Sequence, residues 1–429
     1  MNTSTTVLPG QPAAIAPDVH WVGALDPDLR QFDIILRTAN GTSYNAYAVR
    51  GRDGVAVIDT VKAEFADDFF ARLWACCKPA EIRAIVLNHL EPDHTGALPA
   101  LLAAAPDARV YLSSAALRML KGIVKDGIDE SRLTVVDADT RVDLGGRTLR
   151  FLHTPYLHWP DTQCTWVEED GLLFSGDVFG CHFCDERLFN DRVGDFRFSF
   201  DYYYQHIMRP FREHVLEALA LIEALPIRLI APAHGPVLRD APRNYVQRYR
   251  QLASPLLTFE AGEHEKTLLV FYISAYGNTE RMARAVRDGA EGVEGVRVSL
   301  YDLAGGDPAP FVDLIEEADG LMFGSPTING DAVKPVWDLL SSLTLVKVKG
   351  KFGAAFGSFG WSGEAVRLIE DRLRGLKLRV PRTGVRVKLI PTDEELAECR
   401  ALGRELAEHL VGRAQPLHID FSAPGALTT

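Results

Sequence analysis

Residues 89–94 read His89-Leu-Glu91-Pro-Asp93-His94, and this stretch decides the fold predicted for the first half of the chain. It follows an apolar run over residues 82–87 and precedes a segment rich in Ala and Leu that starts at residue 97. The run predicts a buried strand and the Ala/Leu segment a helix, so the four ionisable side chains fall in the loop between them. Because a straight strand would send alternate side chains to opposite faces, metal binding here requires a sharp backbone turn. The alternative is a polar loop with two chance histidines, and we favour a metal site because metal sites cluster these residue types.

Composition and charge set the class of protein. The chain has 429 residues, enough for two ordinary domains, and its 47% hydrophobic and 24% charged residues are typical of a soluble globular protein. A formal net charge of −12 argues against nucleic acid or an anionic membrane surface as partner. Residues 1–18 lack a basic start followed by an apolar core, no apolar window reaches the length of a membrane span, and six cysteines do not make a disulfide framework. We therefore expect a cytoplasmic protein.

The spacing of the 89–94 stretch resembles the metallo-β-lactamase signature H-x-H-x-D-H, with Glu91 where hydrolases usually carry a second His. A mixed set of carboxylates and imidazoles suits iron, whereas neutral imidazoles suit zinc. Within that superfamily, H-x-E-x-D-H resembles the pattern of the flavodiiron proteins. Hydrophobic periodicity alone predicts an α+β domain, and the resemblance implies that residues 1–250 form a metallo-β-lactamase-like αββα sandwich that holds a diiron centre.

Three downstream segments resemble the remaining ligand segments of that family. His158 lies in Leu-His-Trp-Pro-Asp at residues 157–161, Asp177 directly follows an apolar strand, and His234 ends another strand at residues 229–232. We read His153 as a structural or supporting residue. The resemblance implies that Asp177 bridges two iron ions, one held by His89, Glu91 and His158 and the other by Asp93, His94 and His234.

Two further features lie close to these segments in the sequence. A predicted helix opens at Asp201 and runs to about Leu225, and by resemblance its Tyr203 is a candidate hydrogen-bond donor near the metals. Cys181 and Cys184 form a single C-x-x-C pair, which we expect to pack beside the metal loop rather than to act as a dithiol redox centre. A rubredoxin domain needs two such pairs, so we expect none fused within this chain.

The pattern changes after a predicted linker over residues 251–265. Residues 267–273 form a continuous apolar strand, and strands then alternate with helices up to residue 410. This alternation predicts an α/β doubly wound parallel sheet, which resembles flavodoxin. We therefore expect a flavodoxin-like FMN-binding domain over residues 266–412 and a C-terminal tail over residues 413–429.

Three loops follow strands of the predicted sheet, where doubly wound folds bind ligands. The first has small and hydroxyl residues ahead of a helix, which suits a phosphate because helix N-termini attract anions. The other two are rich in Gly, which lets the backbone approach a flat ring, and Phe359 or Trp361 is expected beside it. By resemblance to flavodoxin, the candidate FMN-binding residues are Ser274, Ala275, Tyr276, Gly277, Asn278, Thr279, Ser325, Pro326, Thr327, Ile328, Asn329, Gly330, Ser358, Phe359, Gly360, Trp361, Ser362 and Gly363.

The function implied by the resemblance is that of a flavodiiron oxidoreductase. FMN takes electrons from a small carrier, expected to be rubredoxin-like, and passes them to a non-haem diiron centre. There O2 is reduced to water, NO is reduced to N2O, or both reactions occur, because the same seven ligands serve both gases. The resemblance also implies a head-to-tail homodimer or a dimer of dimers.

Two other functions compete with this prediction. The first is a dizinc metallo-β-lactamase-type hydrolase fused to a flavodoxin domain, in which a metal-bound hydroxide attacks a thioester or phosphodiester. Glu91 and the lack of a basic substrate surface count against it. The second is an electron carrier whose metal site is only structural.

Overall fold

A computed structural model of the chain describes residues 6–32, 36–125, 127–254, 265–304 and 309–414. By its internal contacts the chain divides into two compact units, Met1–Ser254 and Pro255–Thr429. Over the described ranges, we find no helix with the length and apolar character needed to cross a membrane. The predicted tail beyond residue 414 and most of the predicted linker lie outside the described residues.

The first unit is built mainly from short strands whose apolar side chains are buried. Its strands are β1 (Ala13–Ala16), β2 (Val19–Trp21), β3 (Ala24–Asp26), β4 (Gln31–Phe32), β5 (Leu36–Arg37), β6 (Thr42–Tyr44), β7 (Tyr47–Arg50), β8 (Val55–Ile58), β9 (Ile82–Leu87), β10 (Arg109–Leu112), β11 (Leu133–Val135), β12 (Arg141–Asp143), β13 (Thr148–His153), β14 (Gln163–Val167), β15 (Leu172–Gly176) and β16 (Leu229–Pro232). Its helices are α1 (Ala66–Cys76), α2 (Pro92–Thr95), α3 (Leu98–Ala104), α4 (Ser114–Leu120), α5 (Arg197–Tyr203), α6 (Arg212–Glu223) and α7 (Pro242–Ala253).

Two sheets form the centre of this unit. The seven-stranded sheet has the order β1-β2-β7-β8-β9-β10-β11, and the five-stranded sheet has the order β12-β13-β14-β15-β16. One cluster of buried side chains joins the facing sheets, with Ile58 and Val86 from the first and Phe151 and Phe174 from the second. A larger cluster lies between the sheets and the helices, including α1, α3, α6 and α7. These layers confirm the predicted αββα sandwich.

Local differences from the predicted elements are small. Asp93 and His94 lie in the one-turn helix α2 rather than in an open loop, because Pro92 favours the first position of a helix. Helix α5 begins at Arg197, four residues before the predicted start, and a π-helical turn, Tyr204–Met208, follows it. Helix α7 extends to Ala253, into the predicted linker.

The second unit is a parallel sheet with helices on both faces. Its strands are β17 (Lys266–Tyr272), β18 (Val296–Asp302), β19 (Gly320–Gly324), β20 (Thr327–Ile328), β21 (Asp331–Ala332), β22 (Phe352–Phe359) and β23 (Val385–Lys388). Its helices are α8 (Asn278–Glu291), α9 (Ala309–Glu317), α10 (Lys334–Ser342), α11 (Glu364–Gly375) and α12 (Asp393–Leu410).

The main sheet of this unit has the order β18-β17-β19-β22-β23, and all of these neighbours pair in parallel. Apolar clusters cover its two faces, one with α10 and α11 and the other with α8 and α12. This confirms the predicted doubly wound, flavodoxin-like sheet. A small hairpin of β20 and β21 branches from β22, with β20 inside the second predicted loop and β21 directly after it.

Candidate metal centre

The seven predicted metal ligands all lie at or just beyond the carboxyl ends of strands or in short connecting segments. His89 and Glu91 follow β9, and α2 carries the next two ligands. His158 lies in the connection between β13 and β14, Asp177 follows β15 directly, and His234 follows β16. Strands that are distant in sequence but adjacent in the fold therefore deliver their polar side chains to one place.

The structure brings these seven side chains together in two groups. In each group, one potential ligand atom per residue lies within 4.8 Å of the others. The Nε2 atom of His158 is 2.9 Å from Oε2 of Glu91 in the first group, and Nε2 of His234 is 3.1 Å from Oδ2 of Asp93 in the second. The groups are His89, Glu91, His158 and Asp177, and Asp93, His94 and His234.

Asp177 faces both groups, with one carboxylate oxygen toward each. Its Oδ1 is 3.3 Å from Nε2 of His94 and 3.5 Å from Nε2 of His234. Its Oδ2 is 3.6 Å from Nε2 of His89 and 3.7 Å from Nε2 of His158. This arrangement suits a carboxylate that bridges two cations.

The residues fit a pair of metal ions because many of their buried polar atoms make no hydrogen bond to one another. Both oxygens of Asp93, both oxygens of Asp177 and both nitrogens of His94 are buried without a hydrogen-bond partner. Several of these atoms are within ion-pair distance of each other, yet their angles are wrong for hydrogen bonds. A buried polar group left unpaired costs about 1–3 kcal/mol, so such a cluster needs a partner. Four imidazoles with three carboxylates suit iron.

Hydrogen bonds outside the two groups orient two of the histidines. Nδ1 of His89 is 3.0 Å from Oδ2 of the fully buried Asp161, which also accepts from the backbone N–H of Leu90 at 2.7 Å. Nδ1 of His234 donates to the carbonyl oxygen of Ser43 at 2.7 Å. Each contact leaves Nε2 free to face its ligand group, as expected for metal-binding imidazoles.

Replacing Asp161 with Ala is expected to lower the affinity of the first group for iron by ~10–100-fold, because a partner that orients a ligand is lost. The measurement is the iron retained after dialysis against increasing chelator concentrations. Asp161→Asn is the matched control, because its amide oxygen still accepts from His89 and Leu90. Equal iron retention by the Ala variant and the wild type would contradict this role.

In the metal-free state the centre holds its charges as ion pairs. Burial alone would lower the pKa of His94, but the negative charges of Asp93 and Asp177 raise it to about 9. Burial alone would raise the pKa of Asp177, but the neighbouring histidines, His94 first, hold it well below its usual range. The imidazole of His94 is therefore protonated at neutral pH until a cation displaces the proton.

The affinity for Fe2+ is expected to rise with pH. The metal-free His94 keeps its proton below pH about 9, whereas the metal-bound imidazole is neutral, so binding releases at least one proton. One released proton corresponds to about a tenfold gain in affinity per pH unit below that pKa. Anaerobic Fe2+ titrations at several pH values, with an indicator dye for released protons, measure both quantities. A pH-independent affinity would show that the site is already deprotonated.

Tyr203 lies where the sequence predicted it. It is buried, and its ring centroid is 6.2 Å from that of His234. The predicted hydrogen bond from its hydroxyl to a metal-bound molecule stays a prediction. His153, by contrast, is exposed at the end of β13, so its expected structural or supporting role was wrong.

His182 is a residue of the site that sequence reasoning missed. It is buried, its Nδ1 is 2.9 Å from Oγ1 of Thr42, and its ring centroid is 5.1 Å from that of His234. Burial lowers its pKa well below the usual range, so the imidazole is neutral. The sequence signal for it is a His five residues after Asp177, between the two cysteines of the C-x-x-C pair.

The cysteine pair packs beside the metal loop. The backbone N–H of Cys181 donates to the carbonyl oxygen of His234 at 3.3 Å, and its thiol is buried. Burial raises the pKa of Cys181 strongly and that of Cys184 to about 11. Both thiols are therefore protonated at neutral pH, which does not suit a redox dithiol.

A small cavity reaches the centre from the side of Glu91 and Asp93. Its volume is about 190 Å³, compared with roughly 300–1,000 Å³ for pockets that bind drug-sized ligands. Its described lining residues are Leu29, Gln31, Phe32, Tyr44, Lys62, Glu91, Pro92 and Asp93.

In the second unit, the three loops proposed for FMN follow β17, β19 and β22. Oγ of Ser274 is buried without a hydrogen-bond partner, just ahead of helix α8, whose N-cap Gly277 has a φ of 79°. The first and third loops are joined by a hydrogen bond of 2.9 Å between Oγ1 of Thr279 and Oγ of Ser358. An unpartnered hydroxyl at the positive end of a helix fits the phosphate of FMN.

Comparisons with known proteins agree with both units. Residues 42–235 match the family model of ODP family beta lactamase, and residues 270–403 match that of flavodoxin. The chain is 61% identical to the type A flavoprotein fprA of Rhodobacter capsulatus, over 96% of this chain and 95% of that protein. It is 35% identical to the nitric oxide reductase of Moorella thermoacetica, over 93% of this chain and 99% of that protein.

A solved structure extends this similarity to the fold. The rubredoxin oxygen:oxidoreductase of Desulfovibrio gigas superposes with a TM-score of 0.64 at 30% identity, covering 94% of this chain and 99% of that one. Two domains in the same order, similarity over nearly the full length and the predicted H-x-E-x-D-H pattern all agree. The chain belongs to the flavodiiron protein family, also called the type A flavoproteins.

Proposed function

We propose that this chain is an oxidoreductase that uses FMN and a non-haem diiron centre to reduce O2 to water, NO to N2O, or both. The observation that carries the proposal is the position of Asp177, with one oxygen toward each of two ligand groups. When bound, two iron ions would supply open coordination positions and reversible redox changes, and FMN would supply electrons to them.

Each of the two ligand groups would hold one metal ion. His89, Glu91 and His158 would hold one iron and Asp93, His94 and His234 the other, with Asp177 between them. The hydrogen bonds that His89 donates to Asp161 and His234 donates to the carbonyl oxygen of Ser43 keep these two imidazoles in the orientation that binding requires. The ligands are largely buried, and a buried site limits side reactions with bulk water.

The size of the cavity supports a diatomic substrate. The cavity volume is about 190 Å³, and one water molecule takes up roughly 30 Å³ in the liquid. The cavity therefore holds a diatomic gas molecule and a few waters. Leu29, Phe32, Tyr44 and Pro92 give the cavity an apolar and aromatic side, which suits an uncharged gas, and Glu91 and Asp93 lie on the side of the metal centre. A thioester or phosphodiester substrate needs a wider pocket with groups that bind its leaving group, so the cavity argues against the dizinc hydrolase.

The candidate FMN residues lie on the three loops at the carboxyl ends of the sheet. Ser274 and the N–H groups at the start of α8 would bind the phosphate, and the loops after β19 and β22 would hold the ring. Trp361 and Tyr276 are 80% and 92% exposed at these loops. Aromatic side chains that are left this open beside a proposed cofactor are suited to lie against a flavin or a second protein surface.

We infer that the protein forms a head-to-tail homodimer and takes electrons from a rubredoxin-like carrier in the cytoplasm. All the exposed large hydrophobic side chains described in the second unit lie at the carboxyl ends of its strands, around the proposed FMN site. Such a rim suits an interface with a second copy of the chain. A gel-filtration monomer that kept full turnover would contradict the dimer.

The function is tested by following O2 and NO consumption in parallel with electrodes, using protein loaded with iron and FMN and a reduced rubredoxin as donor. Consumption of O2 without peroxide identifies an oxidase, and anaerobic consumption of NO with production of N2O identifies a nitric oxide reductase. Zinc in place of iron, with thioester hydrolysis and no gas consumption, would favour the hydrolase. Iron-loaded protein that consumes neither gas would favour an electron carrier with a structural metal.

A further inference from the structure

His182 lies in the wall of the metal centre and belongs to neither ligand group. It is 6% exposed, and its ring packs between those of Phe32, Tyr203 and His234, with centroid distances of 4.3, 5.0 and 5.1 Å. Of these neighbours, Phe32 lines the small cavity, Tyr203 is the predicted hydrogen-bond donor, and His234 is a ligand of the second group. His182 therefore packs directly against a ligand of the second group.

Strand β6 holds His182 and the ligand His234 together. The carbonyl oxygen of Ser43 accepts from Nδ1 of His234 at 2.7 Å, and the hydroxyl of the preceding residue, Thr42, lies 2.9 Å from Nδ1 of His182. Both partners on the strand are buried. Because consecutive residues of one strand contact His234 and His182, the two imidazoles have a defined relative orientation.

The other ring nitrogen of His182 has no partner. Nε2 is buried and makes no hydrogen bond to any described residue. A buried ring nitrogen is normally satisfied, because leaving it unpaired costs about 1–3 kcal/mol. The hydroxyl of Thr42 is 2.9 Å from Nδ1 of His182 and 3.3 Å from the carbonyl oxygen of Ser43. Donation to the nearer Nδ1 leaves the proton of the neutral ring on Nε2, which is then a hydrogen-bond donor without an acceptor among the described residues.

We propose that His182 is a positioning residue, whose Nε2–H donates a hydrogen bond to the molecule bound at the iron of the Asp93, His94 and His234 group. The bond orients that molecule and stabilises negative charge on it, and His182 itself neither binds the metal nor changes its protonation. This donation requires the tautomer with its proton on Nε2, which a hydrogen bond from the Thr42 hydroxyl to Nδ1 stabilises. The inference rests on the proposed diiron centre.

The test uses azide, a small anion that accepts hydrogen bonds and takes exchangeable positions on iron. Its dissociation constant is measured by absorbance titration of the oxidised, iron-loaded full-length protein. His182→Phe removes the donor and keeps an aromatic ring, and we expect azide affinity to fall by ~10-fold or more, the size typical of a hydrogen bond to a charged group. His182→Gln restores an N–H donor near the same place and should bind azide within ~3-fold of the wild type.

Thr42→Val provides a second variant if His182→Phe fails to load iron. It leaves the imidazole in place but removes the hydroxyl that faces Nδ1, so the Nε2–H tautomer loses its support and azide affinity should again fall with iron and FMN content unchanged. The inference is overturned if azide affinity is unchanged in the iron-loaded variants, or if His182→Gln binds azide as weakly as His182→Phe. Wild-type protein without iron or gas turnover would instead contradict the proposed function.

Discussion

Replacing Asp177 with Asn is expected to abolish the dinuclear centre and to lower gas turnover by ~100-fold or more, since loss of a partner outside the ligand shell already costs ~10–100-fold. The side chain is 2% exposed, and each of its oxygens faces two imidazoles of a different group. An amide has one oxygen and no negative charge, so it no longer serves both groups. We expect fewer than two iron ions per chain, with FMN content unchanged.

Metal analysis and flavin absorbance of the same preparation separate the two cofactors. Asp139→Asn is a matched control, because Asp139 is an exposed carboxylate in the turn before β12. That variant should retain iron, FMN and turnover at wild-type levels. Two iron ions per chain and near-normal turnover in Asp177→Asn would contradict the bridging position.

Replacing Ser274 with Asp is expected to have the complementary effect, loss of FMN with iron retained. Oγ of Ser274 is buried and unpartnered ahead of α8, where we place the phosphate. A carboxylate there would face a phosphate of like charge. Two unit charges about 4 Å apart repel by about 4 kcal/mol at an effective dielectric constant of about 20. Each 1.4 kcal/mol corresponds to about a tenfold change, so FMN affinity should fall by ~100-fold or more.

The measurement for this variant is FMN binding by flavin fluorescence, together with iron content. Ser274→Thr keeps the hydroxyl and is expected to bind FMN within ~3-fold of the wild type, because it retains the hydrogen-bonding group. Gas turnover with rubredoxin as donor should disappear with the flavin. If Ser274→Asp still purified with a full complement of FMN, the phosphate would have to lie elsewhere.

The ligand residues could be predicted from the sequence because each follows a recognisable strand. The apolar run ahead of His89, and the runs that end near Asp177 and His234, are continuous enough to be read without a structure. The carboxyl ends of adjacent strands meet at one edge of a sheet, so residues far apart in sequence come together. The resemblance to a known family added the division into two groups, which spacing does not contain.

The supporting residues could not be predicted because their contacts join distant segments. Thr42 and His182 are 140 positions apart, and His89 and Asp161 are 72 apart. No local pattern marks a threonine on a two-stranded ribbon as the partner of an imidazole. His153 was misjudged for a related reason, because alternation along β13 does not reveal that the strand leaves its last side chain in solvent.

The loops proposed to bind FMN could likewise be predicted only in part from the sequence. Their positions after β17, β19 and β22 followed from the alternation of strands and helices, but the hairpin of β20 and β21 did not. Each of its strands has two residues, too short for hydrophobic periodicity to register. Its pairing with β22 depends on a tertiary contact between Thr327 and Phe359.

The central claim is that seven side chains of this chain hold two iron ions on either side of Asp177. The most direct measurement is anomalous X-ray scattering from crystals of the full-length protein, recorded on both sides of the iron and zinc absorption edges. We expect two iron peaks per chain, one within each ligand group and both next to the Asp177 carboxylate. Zinc at these positions, or a single metal that leaves one group empty, would contradict it.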